Sequence, residues 1–404
     1  MTVHTPFPMN VLVNVFPPKP RGRRFRFRPA SFVGPSFVCN LPASYVLLLA
    51  ILALLHMFAI ALTIAAAMAI KSELRLPSDS VKLGLPLARG AFGTVHWATR
   101  NGKRCVAKRA AQKVSNAEAY LECESDINAR LHRIAPRSRH LAPFVGVCSI
   151  GWMDHLVWEA CPGVEHTLAW YLQSPSHRTV LARALDIVSD APSRLSIAEE
   201  SALGLKLLQE MLGSLALLHA HGIAHRDVKP SNWLVDGHTH SMRLIDLASA
   251  RNFTSETTQP TVPTTLAFAP PELHLTAEAP WAFDVYSTAL VWLRCCMPAS
   301  ASGMPCFEEI RAALLDWDGH VDLQRVIRDA LSAGLEANQH QHEHVWQSLG
   351  PMLAPHPMER ASACEALHIS STGGAIDDQD LARYGLCSVL SEECCTATAA
   401  HEPQ

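Results

Sequence analysis

The chain has 404 residues, 49% of them hydrophobic and 18% charged, and a formal net charge of -3. That length supplies one large two-lobed core or two to three ordinary domains, and the charge leaves no footprint for a nucleic-acid partner. Twelve cysteines are scattered without paired CxxC spacing, which argues against a disulfide scaffold or a zinc site and suits a reducing compartment.

Residues 1–44 contain no acid, and Lys19, Arg21, Arg23, Arg24, Arg26 and Arg28 make them strongly basic. The composition fits an organellar transit peptide and equally a basic tail beside a membrane. From Tyr45 to Ile70 the chain is uncharged over 26 residues. At 1.5 Å per residue such a run crosses a ~30 Å hydrocarbon core, so a single transmembrane helix is predicted at 45–70 and the lipid bilayer is an expected partner. Residues 71–80 are then a short juxtamembrane linker. The six basic residues ahead of the span disfavour a secretory route in which that end is translocated.

Two short strands are predicted at Val81–Leu87 and Thr94–Ala98. Between them Gly90 and Gly93 let backbone N–H groups approach phosphate oxygens. Val95 follows where an apolar side chain would roof an adenine. The strand Arg104–Arg109 ends near Lys108, and a helix is predicted over Asn116–His132. With Ile127 and Leu131 on its inward face, Glu124 is placed to reach Lys108; Glu122 is the rival, but its face would carry Ser125 and Ala129. The amphipathic stretch Ser201–His221 stops at Gly222, a C-cap signal.

The octapeptide His225-Arg226-Asp227-Val228-Lys229-Pro230-Ser231-Asn232 is the most specific signal. It places Asp227 in a loop to accept a substrate hydroxyl proton and Asn232 as a neutral oxygen ligand for Mg²⁺. Asp246, in Arg-Leu-Ile-Asp-Leu, is the second expected metal ligand. Glu272 follows two prolines, Asp284 lies in an apolar helix, and Arg360 is expected at a helix start.

Taken together these motifs resemble the eukaryotic protein kinase superfamily over about Val81 to Ile369. The resemblance implies an α+β, bilobal fold with a small β-rich N-lobe (81–163, hinge included) and a larger helical C-lobe (164–370), preceded here by the membrane helix. It implies ATP and Mg²⁺ as cofactors and a protein serine or threonine hydroxyl as substrate. Lys229 marks the serine/threonine type of loop. Leu87, Gly90, Gly93, Val95, Ala107, Lys108, Trp158, Glu159 and Cys161 are the implied nucleotide contacts, with Trp158 as the residue closing the space behind the adenine. Glu272 and Arg360 would pair, Asp284 would hold the catalytic-loop backbone, Thr265 would stand beside Asp227, and Thr261 would be a phosphorylation site facing Arg226.

A narrower resemblance, carried by Leu156-Val157-Trp158, by Ile245 to Ala250 and by Phe283 to Leu293, is to the thylakoid state-transition kinases of plants and algae. It implies a thylakoid location, with lone Cys39 in place of that family's lumenal cysteine pair. Ala88 and Ala248 stand where the superfamily has glycines, and alanine resists positive φ. Those two changes keep open a pseudokinase that holds nucleotide weakly. Residues 174–196 read as an insertion. His340, His342 and His344 read as a polar loop, and 371–404 as a disordered tail.

Overall fold

The computed structural model describes residues 48, 51–61, 74–136, 138–190, 192–253, 265–296, 307, 311–312, 314 and 349–371. The chain divides into two compact units, residues 1–63 and 64–404.

Within the first unit lies α1 (Ile51–Ala61), an apolar helix that exposes Leu52, Leu54, Leu55, Met57 and Phe58. Its described residues rise about 16 Å. Apart from Leu48, the rest of the predicted 45–70 span lies outside the described residues. So do Cys39, Thr261, the histidines at 340, 342 and 344, and the tail beyond 371.

The second unit opens with a six-stranded sheet in the order β1-β5-β6-β4-β3-β2. Its strands are β1 (Arg75–Leu76), β2 (Val81–Arg89), β3 (Gly93–Arg100), β4 (Lys103–Ala110), β5 (Phe144–Ile150) and β6 (Met153–Glu159). Antiparallel pairing runs through β2 to β6, while β1 adds to β5 in parallel. Helix α2 (Ala117–Ile134) lies against this sheet and buries Leu121, Glu124, Ile127, Asn128 and Leu131. These recur at helical spacing, which is why one face turns inward.

Past β7 (Val164–Thr167) and α3 (Leu168–Tyr171), the segment read as an insertion forms α4 (Pro175–Ala184), with Pro175 at the start of its first turn. Proline suits that position because the first-turn N–H has no helical acceptor. The long helix α5 (Ile197–Ala220) begins earlier than the expected Ser201. Ser196 and Glu199 form a reciprocal capping box there, each side chain meeting the other's backbone N–H. Gly222 (φ 68) turns the chain just past its end.

Among the described residues α5 is the one helix long and apolar enough to cross a membrane, and 72% of that stretch is buried. It is the spine of the C-lobe core: Leu203, Leu207, Leu208, Met211, Leu212 and Leu215 are fully buried. Short strands β8 (Ile223–Ala224), β9 (Trp233–Asp236), β10 (Ser241–Leu244) and β11 (Arg251–Asn252) frame the loops that follow. Helix α6 (Ala282–Cys296) crosses beneath, tied to α5 by Trp292 Nε1–H donating to the Gly204 carbonyl at 2.7 Å. The last described helix is α7 (Ala363–Ser371). Arg360 precedes it in extended backbone, not at the helix start as expected, because Ser362 and Glu365 cap the helix after it.

Candidate active site

The loop from Gly90 to Gly93 is closed by the Gly90 N–H donating to the Gly93 carbonyl at 2.9 Å. A Cβ at Gly93 would lie 2.7 Å from the Arg109 carbonyl oxygen, so only glycine fits that approach of β3 to β4. Ala88 and Ala248 both lie outside the positive-φ residues. Their methyl groups therefore cost the backbone nothing at these two places.

Strand alternation decides which side chains of β4 face α2. Lys108 does, and its Nζ donates to Glu124 Oε2 at 2.7 Å and to Asp246 Oδ1 at 2.6 Å. Glu124 is 1% exposed, whereas Glu122 is on the outer side of the helix. Burial works to lower the Lys108 pKa, but the carboxylates of Glu124 and Asp246 outweigh it and hold the ammonium charged. Burial likewise works against the Asp246 carboxylate, and Lys108 pulls its pKa down.

Ala107 does not join this group. It is fully buried among Val81, Ala98, Cys105, Cys148 and Val157, on the sheet face opposite Lys108. Its neighbour Val106 is the residue on the Lys108 face. Counting in twos from Lys108 would have found it in the sequence. Val95 is directly opposite Lys108 and shares its face. Leu87 and Glu159 are exposed and Cys161 is half-buried. Burial pushes the Cys161 thiol up. Trp158 lies between sheet and helix: its Nε1–H donates to Asn128 Oδ1 at 3.3 Å and its ring meets Phe144 edge-on at 5.5 Å.

The loop after β8 is fixed from below. Asp284 is fully buried, and its carboxylate accepts the backbone N–H groups of His225 at 2.6 Å and Arg226 at 2.7 Å. Burial alone would raise the Asp284 pKa; the His219 bond at 3.0 Å and these amides bring it down instead. His225 Nδ1 accepts the Asp227 N–H at 3.2 Å, so its Nε2 carries the proton given to the Ile245 carbonyl at 3.0 Å. Arg226 (φ 67) and Asp246 (φ 64) both adopt left-handed backbone, a strained choice for residues with a Cβ. Burial and the nearby Arg251 lower the Arg226 pKa.

Asp227 is 8% exposed. Thr265 donates to its Oδ1 from the backbone N–H at 3.1 Å and from Oγ1 at 2.7 Å. Lys229 Nζ donates to Oδ2 at 2.6 Å and to Thr265 Oγ1 at 3.0 Å. Asn232 Nδ2 donates to the Asp227 carbonyl at 2.8 Å and weakly to Oδ2 at 3.4 Å, a contact long enough for a closer donor to displace. The same bond turns the Asn232 amide oxygen away from Asp227. Asp246 is engaged through Oδ1 while its side chain stays 37% exposed. A neutral amide oxygen and a carboxylate are the hard donors Mg²⁺ prefers, so these residues fit a metal-bound nucleotide.

A family model for the protein kinase domain matches residues 82–370. The serine/threonine-protein kinases STN7 and STN8, chloroplastic, of Arabidopsis thaliana are 24% and 27% identical, over 55% and 53% of this chain. The alignments cover 44% and 49% of those two proteins, so the chain spans about half the length of the curated relatives it matches. The crystal structure of an Stt7 homolog from Micromonas algae, soaked with ATP, superposes with a TM-score of 0.58 at 24% identity. It covers 74% of this chain and 94% of that one, which is a likeness of fold.

Proposed function

The chain belongs to the protein kinase family, and from that premise we propose that it is an active serine/threonine kinase moving the γ-phosphate of ATP to protein hydroxyls. The observation that carries the reading is Asp227, steadied on both carboxylate oxygens by Thr265 and Lys229, with only the long 3.4 Å Asn232 contact on Oδ2 for a further donor to displace. A substrate hydroxyl would fill that place and give its proton to Asp227 as it attacks. Bound Mg-ATP would supply the phosphoryl group and a cation to offset its charge. Asn232 and Asp246 would hold the metal. Lys108, kept charged and with one of its three N–H bonds still to give, would steady phosphate oxygens. Glu124 positions Lys108. Lys229 would cross from Asp227 to the transferring phosphate as charge builds there.

Lys229 supports a serine or threonine acceptor. The apolar run at 45–70 supports membrane attachment ahead of an N-lobe at 81–163 and a C-lobe at 164–370. The chloroplastic names of two relatives support a chloroplast location, and thylakoid membrane proteins as substrates rest on the motif resemblance alone. The pseudokinase alternative rests on Ala88 and Ala248, neither of which takes positive φ, and the enzyme reading is supported by Lys108, Asp227, Asn232 and Asp246. The test is to incubate membrane-associated full-length protein with labelled ATP, Mg²⁺ and a mixed protein substrate, then identify the labelled amino acids. Phosphoserine and phosphothreonine are expected; phosphotyrosine alone would contradict the acceptor.

Trp158 gives a steric prediction. Removing the indole in Trp158→Gly opens space between sheet and α2. Bulky purine analogues that leave the wild type active should inhibit the variant at least about tenfold more strongly. Equal inhibition of both proteins would place Trp158 away from the nucleotide.

A further inference from the structure

Resting on the kinase reading, we propose that β1 is a clamp that positions α2, with Leu74 and Arg75 as positioning residues for the Lys108–Glu124 contact. This strand precedes the residues matched by the family model, which begin at 82.

Leu74 is 9% exposed and packs with Leu121 and Ala129 of α2 and with Phe144 and Leu156 of the sheet. Its carbonyl accepts the Val147 N–H at 2.8 Å, and the next two residues pair in parallel with Val147 and Cys148. Arg75 donates to both carboxylate oxygens of Asp154, at 2.7 and 2.8 Å, and to Ser149 at 2.8 Å. Both partners of that ion pair are about half exposed. It therefore fixes the register of β1 more than it stabilises the fold.

Gly146 shows that the close approach is built into the sequence. A Cβ there would lie 2.2 Å from the Leu74 carbonyl oxygen, and the residue has φ 149, where side chains are strained. Beside the clamp the gap between α2 and the sheet is open: Ala117, Leu121 and Ser125 face Trp152 and Met153 across a groove. Leu74 lines that groove and is an apolar bridge between α2 and the sheet. On its inner face α2 is held through Glu124, which meets Lys108 and the Leu247 N–H. A buried ion pair repays little beyond its desolvation, so the apolar contact on the groove side has a large share in setting where the helix sits.

The test uses the full chain with Leu74→Ala, Leu74→Met, Gly146→Ala and Leu367→Ala. Leu367, 2% exposed in α7, serves as a cavity control of similar kind far from the clamp. In Leu74→Ala, hydrogen exchange across Ala117–Ile134 should speed up, and kcat should fall about tenfold because Lys108 is mispositioned. KM for the protein substrate should stay near wild type. Leu74→Met should restore both readouts. Gly146→Ala should reproduce Leu74→Ala and expose the Arg75–Leu76 bond to trypsin. Leu367→Ala should lower thermal stability while leaving α2 exchange and kcat alone. Unchanged α2 exchange in Leu74→Ala, or the same change in Leu367→Ala, would overturn the clamp. A wild type that transfers no phosphate would instead overturn the kinase reading, and the exchange data would still decide the clamp.

Discussion

Asp227→Asn is expected to lower kcat by about a thousandfold while leaving Mg-ATP affinity within a few-fold of wild type. The substitution keeps the shape but replaces one carboxylate oxygen with an amide nitrogen. In one rotamer that nitrogen confronts the Lys229 ammonium, which now donates to Oδ2 at 2.6 Å. In the other it confronts the two Thr265 donors at Oδ1. Either way a donor meets a donor, and the group can no longer take a proton. Lys108, Asn232 and Asp246 are untouched, so the nucleotide end of the site survives. Single-turnover transfer with nucleotide binding measured in parallel checks both halves. A variant within tenfold of the wild-type rate would remove Asp227 from the chemistry.

The second large effect is on stability. Arg360 has a fully buried side chain and donates to both oxygens of Glu272, at 2.7 and 3.0 Å. It also donates to the carbonyls of Ala354 and Pro355, and its guanidinium lies 4.6 Å from the centre of the Tyr286 ring. Glu272→Ala strands that charge among carbonyl dipoles and an aromatic face, which do not replace a carboxylate. The expected loss is about 3–5 kcal/mol of folding free energy. Replacing both residues, as in Glu272→Met with Arg360→Met, should recover part of it, because no uncompensated charge remains. Urea unfolding of the single and double variants is the measurement. A single-variant loss under about 1 kcal/mol would mean that water reaches Arg360.

Where chemistry is written into short, contiguous strings, the sequence could be read to the residue. The loop from His225 to Asn232 is a short contiguous string, and its contacts to Asp284 are those that the resemblance to the kinase superfamily implies. Choosing Glu124 over Glu122 needed only the helical period, since one face of α2 had to be apolar. Ala107, a contact implied by the resemblance, faces away from Lys108, because the two-residue alternation of the strand sets Val106 on that side. The true start of α5 was legible in Ser196 and Glu199, a capping pair three residues apart.

Strand β1 was not legible at all. It has two residues and no period, and its partners Val147 and Cys148 are some seventy positions away. The only local sign is on the partner strand, where Gly146 makes room for a neighbour the sequence does not name.

The central claim is that this geometry catalyses phosphoryl transfer and does not merely hold nucleotide. The most direct measurement compares Mg-ATP binding with γ-phosphate transfer to a protein substrate in the full-length wild type and in Asp227→Asn. Both proteins should bind the nucleotide, and the wild type alone should turn over, with label on serine or threonine. A wild type that binds Mg-ATP yet transfers phosphate no faster than Asp227→Asn would contradict the claim.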